Sequence, residues 1–285
     1  MAAQVKFPVD TLTVRPLPRG RFIDVLPELA LPGVPGGFRG EPWVGGVTWV
    51  PRQCRHLVVD NANDGCDANN ISDLHYSCPE TLPVQTAFSI LNGLWGSTLN
   101  WDLADMDALI DEHNAIELSS VLAKEAVGAT AGGSISFSNV AHPVAGGFAA
   151  GVGLTYGLAQ LQNDLADTLR GGQGVIHMAP GLLHQAVDKG AAILVDGQYQ
   201  TPLGHLIVAD AGYIDALAPS GESASAATEE WVYATGPVAW KVTPWVKREG
   251  ALNISTNYLK RLQTAFGIVV FDPCPVTAVL VDYDV

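Results

Sequence analysis

Between Gly151 and Tyr213 the apolar residues switch repeatedly between helix and strand spacing, and this constrains the fold more than any other stretch. Leu154, Leu158, Leu161, Leu165 and Leu169 recur at steps of three or four, which places them on one face of a helix. Gly171 and Gly172 end that helix, since glycine enters a C-terminal turn without a Cβ penalty. Val175, Ile176 and Met178 then read as a buried strand, and Pro180 opens a second helix from its first turn. Thr201-Pro202-Leu203-Gly204 is a turn signal before the apolar run Leu206-Ile207-Val208. The stretch is therefore a helix, a strand, a helix and a strand pair. It predicts a compact α+β layer with a core of its own.

The rest of the chain is apolar and poor in charge. Of 285 residues, 48% are hydrophobic and 15% are charged, against about a quarter charged in an ordinary soluble domain. With no apolar run of 18 residues to span a bilayer, this composition predicts that much of the surface is buried against other subunits. MAAQVKFPVD has no apolar signal core, so secretion by that route is not expected. Net charge is −14, unevenly spread. Residues 1–55 hold seven cations against four acids, residues 56–240 three against twenty-one, and the last 45 residues five against four. Tight nucleic-acid binding, which is driven by Lys and Arg, is not expected of such a chain. The asymmetry is either an ordinary solvated acidic face or the sign of a basic arm, with Arg15, Arg19 and Arg21, that docks on an acidic neighbour.

Residues 1–50 are rich in proline and glycine, as in LPGVPGGFRGEPW, which favours extended backbone. Scattered Phe7, Phe22, Ile23, Leu26, Phe38, Trp43 and Trp49 argue against simple disorder. The expectation is an extended arm that lies on other protein rather than on its own body. Residues 51–98 carry short strands, His56–Val59 and Val84–Leu94, around the polar tip DNANDGCDANN. A helix follows from Thr98 or Asn100, either of which can cap it, to about Val127. Leu103, Met106, Leu109, Ile110, Val121 and Leu122 form its apolar stripe, and the opposite face is acidic. Residues 128–150 read as a loop or close-packed strand, and 215–229 as an exposed polar loop. Strands are expected at Trp231–Thr235, Val238–Val246, Ala251–Ile254, Tyr258–Phe271 and Thr277–Val281.

No catalytic or cofactor motif is present: no phosphate-cradling glycine-lysine loop, no G-x-S-x-G and no HExxH. The acids after Asp102 are read as a solvated or interface face, not a general acid–base pair. Cys54, His56, Cys66, His75 and Cys78 lie within 25 residues, but lack the paired C-x-x-C knuckles of a zinc site. Zinc binding and a Cys66–Cys78 disulfide both stay open, and no metal or cofactor is assigned. DNANDG fails as an EF-hand loop, because Ala62 and Ile71 stand at its third and twelfth positions. Cys274 is read as a buried small hydrophobe, and His177 and His205 as satisfied core histidines.

The order of these elements resembles the major capsid proteins of tailed bacteriophages, a fold shared with encapsulins and the herpesvirus capsid floor. The helix 151–170 followed by VIHMAP, the segment TPLGHLIVADAGY and the terminal DPCPVTAVLV carry the resemblance. It implies an α+β fold with an N-terminal arm (1–50), an extended β loop (51–97), a spine helix opening a peripheral domain (98–150), an axial domain (151–230) and return strands of the peripheral domain (231–285). It further implies a non-enzymatic virion protein that assembles as hexamers and pentamers around double-stranded DNA, which it contacts weakly. Scaffolding, portal and decoration proteins are implied as partners, no membrane is, and assembly is implied to take place in the host cytoplasm. Another head, neck, tail or decoration protein, or an encapsulin-type shell protein, is the alternative. No charged helical pro-segment precedes the arm, so scaffolding is expected to be separate or absent.

Overall fold

The computed structural model of the chain describes residues 20–29, 47–48, 84–97, 102–128, 135–144, 151–169, 171–253, 258–273 and 275–284. In chain order these form α1 (Phe22–Val25), β1 (Val47–Thr48), β2 (Val84–Gln85), β3 (Phe88–Ser97), α2 (Leu103–Val127), α3 (Phe137–Val140), β4 (His142–Pro143), β5 (Val152–Gly153) and α4 (Leu154–Leu169). Next come β6 (Val175–Met178), α5 (Pro180–Asp188), β7 (Ile193–Val195), β8 (Gln198–Gln200), β9 (Leu206–Ala209), a 3₁₀ turn (Ala211–Tyr213), β10 (Glu229–Thr235), β11 (Val238–Val242), β12 (Val246–Asn253), β13 (Tyr258–Phe271) and β14 (Thr277–Asp282). The α+β class is that read from the sequence, but the single strand expected over Val238–Val246 is broken into β11 and the start of β12, and the strand expected at His56–Val59 lies outside the described residues.

Two sheets organise the molecule. The larger runs β4-β14-β10-β6-β9-β8-β7, with β5 also on β14. Its central strands are buried on both faces, and they read as near-continuous apolar runs for that reason. Ile176 and Met178 of β6 face Leu154, Leu158, Leu161 and Leu165 of α4 and Leu182 of α5, along with Val232, Val279 and Val281. The other face, with Val175, Trp231, Tyr233 and Ala278, meets α1, α3 and the end of α2. Each fully buried Leu or Phe contributes about 1.5–3 kcal/mol. The 151–213 unit thus does not close a core by itself: β10 and β14, from late in the chain, complete its central sheet.

The smaller sheet is β11-β13-β12, with β3 on the other side of β13. Lys260 pairs opposite Trp95 and Gln263 opposite Asn92, in an antiparallel register that joins strands from both sides of α2 in the sequence. With 25 residues, α2 is the longest helix among the described residues, and it packs across β13 and β3. Its N-cap is Asp102, whose carboxylate accepts from the Asp105 amide at 2.7 Å. This corrects the expected cap, and the two candidates Thr98 and Asn100 lie outside the described residues.

Two further expectations change. Within 128–150 the chain makes a helical turn, α3, entered through a capping box of Ser136 and Asn139. The described end of the arm also does not avoid its own body. Phe22, Val25 and Leu26 are buried in the core, because their spacing puts all three on one side of a short helix. Beyond α1 the chain joins the smaller sheet: Leu29 donates to the Trp240 carbonyl at 2.6 Å, and Trp240 donates back to Pro27 at 3.2 Å.

Candidate assembly surfaces

Two of the histidines singled out in the sequence, His177 and His205, are core residues. His177 is fully buried on β6, with its ring between Phe137 and Tyr213. Thr235 gives its hydroxyl proton to the Gly236 carbonyl, so its oxygen accepts from His177 Nε2–H at 2.9 Å. His177 Nδ1 then accepts from the Tyr213 hydroxyl at 2.8 Å. Burial lowers the imidazole pKa to about 3 and pushes the Tyr213 phenol well up, so this neutral arrangement is fixed. His205 Nδ1 accepts from the Gly174 amide at 3.0 Å, and burial lowers its pKa too. Both ring nitrogens of His177 are engaged by protein hydroxyls.

A carboxylate that the sequence did not single out does more structural work. Asp210 is buried and accepts from the amides of Phe22 and Gly212 and the hydroxyls of Ser119 and Ser120, at 2.5–3.1 Å. It therefore ties α1, α2 and the 3₁₀ turn after β9 at one point. The turn lies so close to α2 that a Cβ on Gly212 would stand 2.3 Å from the Ser120 carbonyl oxygen. An Asp before an Ala-Gly pair looks like ordinary turn chemistry in a sequence, and nothing local marks its distant partners.

The acids of α2 are only partly the outward face that was expected. Arg261 of β13 grips Asp107 with two bonds of 2.7 and 2.9 Å, and Lys247 of β12 reaches Asp111 at 2.9 Å. The Arg261 hydrogen bond holds the Asp107 carboxyl below its usual range against the opposing effect of burial. Gln263 donates to Asp111, Asn114 donates to Gln263 and Asn92 donates to Asn114, at 2.8–2.9 Å. The first half of α2 thus sits on the smaller sheet through this polar ladder together with buried Met106 and Ile110, and the second half packs into the core through Leu122, Ala123, Ala126 and Val127. Glu117 remains on the exposed side.

Arg21 is engaged within its own chain, although its Nη1 is buried without a hydrogen-bond partner among the described residues. It pairs with Asp24 of its own short helix at 2.8 Å. Arg15 and Arg19 lie outside the described residues, as do Cys54, His56, Cys66, His75, Cys78, Cys274 and the DNANDG loop. Among the described residues no three His, Cys, Asp or Glu side chains are grouped to hold a metal, and no helix is long and apolar enough to cross a membrane.

What the described surface offers is apolar area. Leu91, Trp95, Val246 and Tyr258 stand exposed on the smaller sheet, and Ile193, Leu194 and Val195 on β7 at the edge of the larger one. The β7–β8 turn, Asp196-Gly197, has positive φ at both residues (50° and 84°), the geometry of a tight hairpin.

No family model matches the chain, and no curated protein does. Solved structures similar to it come from phage particles and an encapsulin. One from Mycobacterium phage Adephagia is 12% identical over 97% of this chain and 94% of that one, with a TM-score of 0.49. The capsid structure of the cyanophage P-SCSP1u is 9% identical over 98% and 91%, with a TM-score of 0.45. The holo-SrpI encapsulin complex from Synechococcus elongatus PCC 7942 is 12% identical over 72% and 78%, with a TM-score of 0.40.

Proposed function

We propose that this chain is a structural subunit that assembles with copies of itself into a closed shell of the phage-capsid type. The observation that carries the reading is the placement of α2. A 25-residue helix lies across a sheet built from the strand before it and the last long hairpin of the chain, with a second sheet and its own helices alongside. This placement supports reading α2 as the spine helix and the last strands as the return through a peripheral part. A charge-poor composition and exposed apolar strands support burial against other copies.

In this reading residues 1–50 are an arm, 51–97 an extended loop, 98–150 the spine and start of a peripheral part, and 151–230 an axial part. The segment 231–285 returns through the peripheral part and lends β10 and β14 to the larger sheet. Hexamers and pentamers meet through the axial parts, and many weak contacts sum over the closed shell. The shell encloses double-stranded DNA without gripping it, as the net charge of −14 favours. Scaffolding, portal and decoration proteins are its other partners. Assembly takes place in the host cytoplasm, the product is the virion, and the subunit performs no catalysis.

Negative-stain imaging of the purified full-length chain tests the proposal. Closed shells are the expected result. Tubes or open rings would move the chain to a tail or neck role, and a monomer under all conditions would overturn the reading.

A further inference from the structure

The two faces of the smaller sheet differ in kind. One carries Asn92, Arg261, Gln263 and Lys247, which bond to α2 or to the ladder beneath it. Strand alternation sends their neighbours the other way. Gly93, Leu262 and Lys260 share this outward face, where a Cβ on Gly93 would meet both side chains. Leu91 and Trp95 are 64% and 49% exposed there, and Val246 and Tyr258 are exposed on the flanking strands. Lys260 lies over the Trp95 ring at 5.6 Å, and Arg248 stands exposed beside it in register with Leu262. Among the described residues, the outward side chains of β3, β12 and β13 include these two cations and no acid.

We infer that this outward face is a docking surface for a second copy of the chain, which meets it with its acid-rich part. The charge pattern selects the occupant. Two cations on an apolar ground want an acidic, partly apolar surface, and residues 56–240 of the same chain carry twenty-one acids against three cations. The face does not fit itself, because a two-fold contact would set Lys260 and Arg248 against their own copies. The contact is therefore heterologous, with one patch receiving a different patch of the next copy, which generates rings or extended arrays rather than dimers. Apolar side chains supply the burial and the cations supply orientation, since exposed charge pairs add only about 0–1 kcal/mol each. The choice of a second copy leans on the shell reading, but the face and its charge do not.

The test uses full-length chain with Trp95 replaced by benzoyl-phenylalanine, mixed from heavy- and light-isotope preparations and irradiated. A mixed-isotope cross-link from position 95 into a peptide of 56–240 is expected. It should be lost in Arg248→Glu/Lys260→Glu, whose unfolding midpoint should match the parent. A cross-link confined within one chain, one that lands in residues 1–55, or one that survives the charge reversal overturns the proposal. Imaging the same samples separates it from the shell reading. Shells without an intermolecular cross-link at 95 defeat only the docking surface, whereas that cross-link in open rings defeats only the shell. Monomers with no cross-link defeat both.

Discussion

The amide of Phe22 donates to the carboxylate of Asp210 at 3.1 Å across 188 residues of sequence. The same oxygen accepts the Ser119 hydroxyl, so one buried side chain fastens α1 to α2. Removing it leaves two amides and two hydroxyls without their acceptor, and each orphaned buried donor costs about 1–3 kcal/mol. Asp210→Ala is expected to lower unfolding stability by about 3 kcal/mol or more. It should also speed hydrogen exchange at Phe22 well beyond that at Val232. Urea denaturation with exchange mass spectrometry reads both, and equal protection at Phe22 in the two proteins would show that Asp210 is not the fastening.

His177 makes stability depend on pH. Its folded pKa is about 3 and its ordinary value 6.5. Between those values the unfolded chain takes up a proton that the folded chain refuses, so stability falls as pH drops through the window and is unaffected above it. The slope from this one group approaches about 1.4 kcal/mol per pH unit. Asp164 and Glu230 act in the opposite sense, because burial raises their pKa and the folded state then favours the proton. Comparison with His177→Gln isolates the histidine. The wild-type urea midpoint should fall more steeply than the variant's from pH 6.5 to 4.5, and parallel profiles would refute the assignment.

The fork between Arg261 and Asp107 is a specific geometric demand. Both side chains are mostly buried, at 13% and 18% exposure, and the guanidinium gives two parallel bonds that an ammonium cannot. Arg261→Lys keeps the charge and loses the fork, for a cost of about 1 kcal/mol. The depressed Asp107 pKa means that this contribution is present at neutral pH and is lost as pH falls through the folded value, below 3.8. A double-mutant cycle with Asp107→Asn, read from denaturation midpoints, should show a coupling that Lys247→Gln with Asp107→Asn does not match.

The elements were legible where local pattern decides them. The leucine spacing of 154–169 gave α4, Pro180 gave the start of α5, and the run Tyr258–Phe271 is β13 to the residue. Long-range choices were hidden. Asn92 and Gln263 sit in strands whose pairing spans α2, and no local signal couples them. Asp107 and Asp111 read as part of a solvated acidic face because their partners, Arg261 and Lys247, arrive more than 130 residues later. The same blindness hid the arm's return: Phe22, Val25 and Leu26 had helical spacing, but four residues of helix carry too little periodicity to outweigh the prolines around them.

That return divides the arm into two parts with different effects when removed. Deleting residues 1–29 takes Phe22, Val25 and Leu26 out of the core and removes one of the four donors to Asp210 and the Leu26 carbonyl that accepts from Trp240. A loss of several kcal/mol in subunit stability is expected, at about 1.5–3 kcal/mol for each large buried side chain. Deleting residues 1–19 spares all of these contacts and should leave the denaturation midpoint in place, while raising the protein concentration needed for assembly. Charge reversal follows the same division. Arg21 pairs locally with Asp24 and its Nη1 is buried, so it belongs to the folded body. Arg15→Glu with Arg19→Glu is the variant that probes docking on an acidic neighbour. Its assembly threshold should rise at low salt and recover partly at high salt, where like charges are screened within less than about 8 Å. Light scattering against concentration at two salt levels measures the threshold. An unchanged threshold in the double variant would show that the first nineteen residues are held by packing alone, and a fallen midpoint in the 1–19 deletion would show that they belong to the subunit core.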